Sequence, residues 1–316
     1  MFAAFLIRFS ISLQIEKQKP MSVVASYLLF YCILIPLSIL PMRVLYFLSD
    51  IMCFVLKDVV KYRKKVIVSN LKNSFPQKNE AEIRSITKKY YRHLSDLLVE
   101  AAKMLTISKK SLLKRYKCLN ADILLPYYKD KKSIILASAH YNNWEYMVAS
   151  LDMQIAHHGI GVGKRMSNKT FERLAFAKRT RYGTEVCYAD NVRQDMENHI
   201  ANGDVCAYML LSDQSPNDVN KCYWANFLNQ KTALIYGAEY FAKKYNYPVF
   251  FYKVDKVKRG YYEVSFSLVS SSPQETPYGF VVESIAKLTE DAIKAAPEFW
   301  LWSHRRWKLT PKAENQ

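Results

Sequence analysis

Short apolar runs alternate with amphipathic stretches along the chain from about residue 131 onward. The runs with strand character cover residues 133–138, 159–163, 184–188, 205–211, 247–253 and 261–268. Helical periodicity dominates residues 169–181, 191–201, 232–245 and 277–296. Strands that alternate with helices predict an α/β fold with a mainly parallel central sheet flanked by helices. An antiparallel pair is expected within residues 246–268, turning at residues 258–260.

The pattern before residue 131 is different. Residues 21–42 form a run of 22 residues without a charge, which is long enough to cross a bilayer. Lysines and arginines cluster at residues 57–65, and positive charge beside an apolar segment marks the cytoplasmic side. We therefore expect an N-terminal hydrophobic, membrane-anchoring helical region at residues 1–56 and a single domain at residues 57–316. The alternative is a buried hydrophobic hairpin that rests on that domain.

Two further signals refine this N-terminal region. Met21 is a sensible start codon, which leaves open whether residues 1–20 belong to the native protein. Asn79, followed by Glu80 and Glu82, predicts the start of a helix with acidic residues in its first turn.

The composition of the chain restricts the kinds of binding partner and the redox compartment that we expect for the protein. The chain of 316 residues carries a net charge of +18, which implies a polyanionic partner: nucleic acid, an acidic membrane surface or a phosphorylated substrate. The cysteines are widely spread along the chain, so we expect them to be free thiols that are buried as small hydrophobic side chains, in a protein of a reducing compartment. Cysteine and histidine spacing does not match a zinc site, so no metal is expected. The six cysteines are Cys32, Cys53, Cys118, Cys187, Cys206 and Cys222.

His140 and Glu145 follow the apolar run at residues 133–139 and form the most informative feature of the chain. In one regular helix a five-residue step would leave them about 140° apart. They can converge if His140 lies in the loop and Glu145 in the first turn of the next helix. Such a pair can act as a general base with its orienting partner. The alternative is a structural histidine beside a helix-terminal Glu.

Cationic and polar residues cluster at three further places. Residues 164–181 contain seven basic residues, of which Arg179 and Arg181 precede the next strand. They are candidates for phosphate binding, although the end of their helix is expected to lie away from the carboxyl ends of the strands. The alternative is a solvated helix face.

Asp213 and Gln214 close the apolar run at residues 205–211, beside the expected position of His140. The alternative is an Asx-turn. Residues 300–308 are dense in tryptophan and arginine, including Arg305 and Arg306, as in proteins at the lipid headgroup layer or in nucleic-acid binders. An aromatic cap on the core is the other interpretation.

In this order, the blocks resemble the late (secondary) lipid A biosynthesis acyltransferases, over nearly the whole chain from about residue 21. The matching positions are Arg63, Val66, Asn70, Leu71, Phe75 and Pro76; His140 and Glu145; Arg179, Arg181 and Gly183; Asp213 and Gln214; Trp224, Phe227, Thr232 and Gly237; and Pro297, Trp300, Trp302, His304, Arg305, Arg306, Trp307 and Lys308.

The resemblance implies an enzyme at the cytoplasmic face of a bacterial inner membrane. It would move a fatty acyl chain from the phosphopantetheine of acyl carrier protein to a hydroxyl of a phosphorylated lipid A precursor. It implies His140 as general base with Glu145 as its partner, and no cofactor or nucleic acid. Substrate-binding candidates are Arg179, Arg181, Asp213, Gln214, Arg305 and Arg306.

Two alternatives remain open on the sequence. The acceptor could be another membrane lipid, such as an aminolipid or a lysophospholipid. From a different class, the chain could be a non-enzymatic basic protein that binds membranes or nucleic acid, which predicts no role for His140.

Overall fold

The computed structural model describes residues 20–309. A seven-stranded sheet has the order β1-β9-β8-β2-β5-β3-β4; β8 and β9 are antiparallel, and the other neighbours are parallel. The remaining two strands, β6 and β7, form a separate antiparallel pair. The strands are β1 (Tyr116–Cys118), β2 (Ile134–Ser138), β3 (His158–Gly163), β4 (Glu185–Tyr188), β5 (Cys206–Leu211), β6 (Cys222–Phe227), β7 (Gln230–Ile235), β8 (Val249–Lys258) and β9 (Tyr261–Ser270).

Helices cover both faces of the large sheet, which confirms the predicted mainly parallel α/β fold. The α-helices are α1 (Pro20–Leu28), α2 (Ile35–Ile39), α3 (Met42–Phe54), α4 (Lys64–Ser74), α5 (Glu80–Lys103), α6 (Lys109–Arg115), α7 (Leu125–Lys129), α8 (Trp144–Ser150), α9 (Lys169–Arg179), α10 (Val192–Asn202), α11 (Gly237–Tyr245) and α12 (Phe280–Ala295).

Strand β2 lies at the centre of the fold because both of its faces are buried. Side chains alternate across a strand, so Leu136 packs with Tyr146 and Met147 of α8 on one face. Ile135 and Ala137 pack on the other face among residues of α11 and α12. The continuous apolar run at residues 133–138 is therefore the sequence of a strand buried on both sides.

The helix predicted at residues 232–245 was partly wrong, because β7 occupies its first residues and α11 begins only at Gly237. The two-residue loop between β6 and β7 places Leu228 and Asn229 at φ 50° and 61°. Hairpin turns of this kind usually contain glycine, so the sequence lacked the turn signal. Leu228 is fully buried, and its amide donates to Glu290 Oε2, which holds the unusual conformation.

The apolar run at residues 21–42 does not form one straight helix. A π-helical turn at Leu29–Leu34 interrupts it, and Leu40 and Pro41 are extended, with ψ 146° each. Within residues 20–309, no single helix is long and apolar enough to cross a bilayer; Val23–Ile39 and Met42–Val59, bent by 118°, reach that length and composition only as a pair. Membrane anchoring therefore stays a prediction, and residues 1–19 lie outside the described part of the chain.

We call these first helices the apolar hairpin (residues 20–59). Helices α2 and α3 dock onto α5, whereas α1 contacts α9. The Lys103 ammonium donates to the carbonyls of Ser38 and Leu40 at 2.9 and 3.0 Å, which fastens the bend. In α3, Ser49 donates to Asp96 Oδ1 at 2.8 Å. Such buried contacts give the hairpin a fixed position on the domain.

Two smaller predictions can also be compared with the structure. Helix α5 begins after Asn79 with Glu80 and Glu82 in its first turn, as predicted, and Asn79 also forms a reciprocal capping box with Glu82. All six cysteines are free, but Cys32 is exposed, whereas the sequence suggested buried thiols. Cys187 and Cys206 fit the prediction.

Candidate active site

Two neighbouring parallel strands deliver polar side chains to the same edge of the sheet. β2 pairs with β5 so that Ser138 lies opposite Leu211, and the Ser212 amide donates to the Ser138 carbonyl at 3.0 Å. His140 and Asp213 follow immediately in their respective loops. The register of two strands therefore brings together residues that are 73 positions apart.

The imidazole of His140 is held by Asp213. Its Nδ1 lies 2.7 Å from Asp213 Oδ1, and Asp213 Oδ2 accepts from Trp300 Nε1, also at 2.7 Å. Burial opposes ionisation of Asp213, but the charge and hydrogen bond of His140, with the Trp300 bond, hold its pKa below the usual range. An ionised carboxylate can only accept, so Nδ1 donates; in the neutral form of the imidazole, Nε2 then carries the lone pair.

The imidazole is partly accessible, unlike the carboxylate that holds it. The His140 side chain is 18% exposed, against 4% for Asp213. The Gln214 side-chain nitrogen lies 3.1 Å from His140 Nε2, at donor distance. A hydroxyl that replaced this amide would present its proton to a base with a defined tautomer.

Glu145 does not bond to His140 as the sequence suggested. The helix α8 begins at Trp144, and successive helical residues point about 100° apart, so only one of the two can face the imidazole. Trp144 does so, edge-on, with ring centroids 5.1 Å apart. Asp213 instead provides the carboxylate for the imidazole, and Glu145 turns to Arg179.

Glu145 and Arg179 form a half-buried ion pair beside the pair of His140 and Asp213, which we call the dyad. The Arg179 Nη2 atom lies 2.9 Å from Glu145 Oε1 and 2.7 Å from Oε2. Burial opposes ionisation of Glu145, but the charge and hydrogen bond of Arg179, together with the charge of His140, act against burial, and the carboxyl pKa is lowered. Arg179 Nε is buried without a hydrogen-bond partner among residues 20–309. Although Arg179 ends α9, its guanidinium reaches the first turn of α8, contrary to the expectation that it lies away from the site.

The other predicted cationic ligands have different positions. The Arg181 guanidinium donates to the carbonyls of Leu105 and Ile107, so it fastens the connection after α5. Arg306 is 2% exposed, donates to the Ala233 carbonyl at 2.7 Å, and has its pKa lowered to about 10 by burial. Arg305 is exposed. Arg181 is thus committed to the fold rather than to a ligand.

The C-terminal aromatic segment forms a cap on the core and supports the dyad. Asn70 Nδ2 donates to the carbonyls of Trp302 and His304 at 2.9 Å each, and Arg63 donates to the Ser303 carbonyl at 2.5 Å. This clamp from α4 and the residue before it fixes the segment whose Trp300 bonds to Asp213. The role of Trp300 was not predicted.

Two residues of the loop between His140 and Glu145 are also held in place by hydrogen bonds. Asn142, at φ 52°, donates from Nδ2 to the Val254 carbonyl at 2.6 Å. Asn143 donates to Glu100 Oε2 at 2.6 Å. Glu100 was missed by sequence reasoning; its only signal is a carboxylate flanked on both sides by apolar residues within a helix.

A largely apolar cleft opens beside Asp213. The walls come from β6, β7, α12 and the C-terminal segment. The lining residues are Ser212, Asp213, Phe227, Leu234, Ile235, Val282, Ile285, Ala286, Thr289 and Arg306.

Comparison with known proteins adds one match. A family model described as bacterial lipid A biosynthesis acyltransferase matches residues 15–309. A search of curated proteins finds no match. In the part of the chain that the structure describes, His, Cys, Asp and Glu do not form a group of three or more that could hold a metal ion.

Proposed function

Because the chain belongs to the bacterial lipid A biosynthesis acyltransferase family, we propose that it transfers a fatty acyl chain from acyl carrier protein to a hydroxyl of a phosphorylated lipid A precursor. Family membership supports acyl transfer as the class of reaction. The observation that carries the proposed mechanism is the 2.7 Å contact between His140 Nδ1 and Asp213. It leaves Nε2 as the base.

In the proposed reaction, the acceptor hydroxyl displaces the Gln214 amide from His140 Nε2. Nε2 takes the hydroxyl proton while the oxygen attacks the thioester carbonyl carbon. Asp213 stabilises the resulting imidazolium, as the carboxylate of a Ser-His-Asp triad does. The C–S bond then breaks, and the imidazolium returns its proton to the departing thiolate. A thioester is already activated, so a covalent enzyme intermediate is not required.

The Glu145–Arg179 pair is assigned to the acceptor. Glu145 engages Nη2 and so orients the guanidinium, and the Arg179 side chain is 30% exposed and can offer a further donor to a ligand. Arginine recognises phosphate through such directed donors, and the ion pair keeps the fork in one orientation. Arg179 would therefore bind a phosphate of the lipid acceptor. Stabilisation of the oxyanion is the other role that this geometry permits.

The remaining substrate, the acyl chain, requires an apolar site. The cleft beside Asp213 has the apolar lining that a hydrocarbon chain needs, and it opens next to the dyad. The +18 charge of the chain suits both a phosphorylated acceptor and an acidic carrier protein.

The outer face of the apolar hairpin is assigned to the cytoplasmic face of the inner membrane. Large apolar side chains are exposed along both arms, beyond what scattered surface positions explain. Exposed Lys61, Lys64 and Lys65 follow the second arm and suit anionic headgroups. The exposed apolar residues are Val24, Leu28, Tyr31, Ile33, Ile39, Val44, Phe47, Ile51, Phe54, Val55, Val59 and Val60.

The test is an acceptor panel with labelled acyl carrier protein. Purified protein in detergent would be given a lipid A precursor, a lysophospholipid and an aminolipid, with His140→Ala as the matched variant. We expect label on the lipid A precursor with the wild type and none with His140→Ala at an unchanged melting temperature. Label on another lipid would redirect the acceptor. Near-normal turnover by His140→Ala would exclude the mechanism.

A further inference from the structure

Glu100 is a fully buried carboxylate that the proposed chemistry does not use. It lies on α5 and accepts three hydrogen bonds from three separate elements. Oε1 accepts from the Tyr46 hydroxyl at 2.8 Å; Oε2 accepts from Asn143 Nδ2 at 2.6 Å and from the Tyr262 hydroxyl at 2.8 Å. Burial raises the pKa of Glu100, and the charge of Lys256 and both hydroxyl donors oppose that rise.

Through Asn143, this carboxylate sets the direction of the loop that carries the site. Asn143 is the N-cap residue of α8, and its Oδ1 accepts from the Tyr146 amide at 2.9 Å. Because Glu100 accepts from Nδ2, the amide cannot flip without losing both bonds. The first turn of α8 contains Glu145, so the orientation of Asn143 determines where the Glu145–Arg179 pair lies.

Through Tyr46, the same carboxylate contacts the apolar hairpin. Tyr46 belongs to α3, and the Arg259 guanidinium lies 4.5 Å from its ring centroid. A Cβ added at Gly260 would come within 1.8 Å of the Tyr46 hydroxyl, so the backbone there closes over the phenol. The path from hairpin to site is therefore short, buried and tightly packed.

We infer that Glu100 is a positioning residue for acyl transfer, which ties the docking of the apolar hairpin to the alignment of the loop between His140 and Glu145. The inference rests on the proposed function for its kinetic consequence. Loss of one donor leaves a buried acceptor unsatisfied, which is costly where water cannot replace it. The loop, and with it the Glu145–Arg179 pair, would then lose its fixed orientation, while the apolar cleft beside Asp213 stays in place.

The experiment compares two hydroxyl deletions on the same helix. Tyr46→Phe removes the bond to Glu100, whereas Ser49→Ala removes a bond of equal length, 2.8 Å, to Asp96. We expect Tyr46→Phe to lower kcat about tenfold and to raise KM for the lipid acceptor, because the loop also carries the Glu145–Arg179 pair, while KM for acyl carrier protein stays unchanged. Ser49→Ala should leave kcat within roughly twofold of the wild type, because Asp96 does not contact the loop.

Amide hydrogen exchange supplies a second readout that does not depend on activity. The Tyr146 amide should exchange faster in Tyr46→Phe and in Glu100→Gln than in Ser49→Ala, because its acceptor Asn143 is loosened. Glutamine at position 100 offers one acceptor oxygen in place of two. If Glu100→Gln fails to fold, the kinetics and the amide exchange of Tyr46→Phe still test the positioning role of Glu100.

The outcomes separate this inference from the proposed function. Wild-type kcat and exchange in Tyr46→Phe would overturn the positioning role while leaving acyl transfer intact. An equal loss in Ser49→Ala would also overturn it, since any loosening of the hairpin would then suffice. If the wild type transfers no acyl chain, the proposed function fails, and faster Tyr146 exchange in Tyr46→Phe would still support the link.

Discussion

Asp213→Asn is the sharpest test of the dyad, because it changes charge without changing shape. The carboxylate accepts from His140 Nδ1 and from Trp300 Nε1, both at 2.7 Å. An amide has only one accepting oxygen, and the indole can only donate. If the oxygen stays with Trp300, the amide nitrogen donates to His140 Nδ1, which places the imidazole proton on Nε2. The base is then blocked.

The size of the effect follows from these two bonds. A wrong tautomer lowers kcat by up to roughly 10⁴-fold in Ser-His-Asp enzymes, which is the general template for this expectation. The charge-assisted hydrogen bond to His140 becomes a neutral one, which costs about 1 kcal/mol of unfolding free energy, so the melting temperature should fall by a few degrees.

The pH dependence of stability gives an independent check. The folded protein lowers the Asp213 pKa, so its contribution is complete above the ordinary carboxyl range, near roughly 3.9, and is lost as pH falls through the lower folded value. Asp213→Asn should therefore show a shallower loss of unfolding free energy on acidification.

The assay measures kcat and KM with acyl carrier protein thioester and a lipid acceptor, next to urea unfolding. The control is Glu239→Gln, which alters another fully buried carboxylate, one that binds the amides of Gly279 and Val282 rather than the imidazole. Control and variant should lose similar stability, but only Asp213→Asn should lose turnover. A kcat within about threefold of the wild type for Asp213→Asn would refute the orienting role.

Four further outcomes are expected. Arg179→Ala should lower kcat/KM about ten- to hundred-fold with a bisphosphorylated acceptor and less with a dephosphorylated one; equal losses in kcat would indicate oxyanion stabilisation instead. Ala286→Phe should fill the cleft and shift the preferred acyl chain toward shorter lengths in a competition assay, with unchanged preference assigning the chain elsewhere. Phe47→Glu combined with Phe54→Glu should move the protein from membranes to the soluble fraction at an unchanged melting temperature, because both side chains are exposed; retention on membranes would contradict the assigned face. Burial lowers the pKa of His157 to about 4, so on acidification the unfolded chain binds a proton at this residue before the folded chain does. The free energy of unfolding should therefore fall by about 3 kcal/mol between roughly pH 6.5 and 4. His157→Phe should make this pH dependence shallower in urea titrations, and an unchanged pH dependence would refute the role of His157.

Much of the fold could be predicted from local pattern. The buried run at residues 133–138 is apolar throughout because both faces of β2 are covered, so its strand character is visible in the sequence. The adjacency of Asp213 and His140 also follows from sequence, since both come directly after such strands. The hairpin of β6 and β7 could not be predicted, because buried Leu228 and a bonded Asn229, rather than a glycine, hold its turn.

The partners within the site were decided by tertiary structure. Sequence spacing favoured Glu145 for the imidazole, but the helix starts so that Trp144 faces the ring, and the register of β2 with β5 delivers Asp213 instead. Glu145 is then left to Arg179, whose helix end reaches the site only through packing. Hydrogen bonds between residues distant in the chain depend on how elements pack, and local periodicity carries no information about that.

The sequence identified which types of residue lie near the site, whereas the fold decides which partner each of them contacts. Sequence alone indicated that a histidine and two carboxylates follow apolar strands and that several cations precede another strand, because strand and helix periods are local properties. Only the tertiary structure decided that Arg181 serves backbone carbonyls of Leu105 and Ile107 and that Glu100 joins three elements. A buried polar group must find its partner among whatever the packing brings near, and that choice is made in three dimensions.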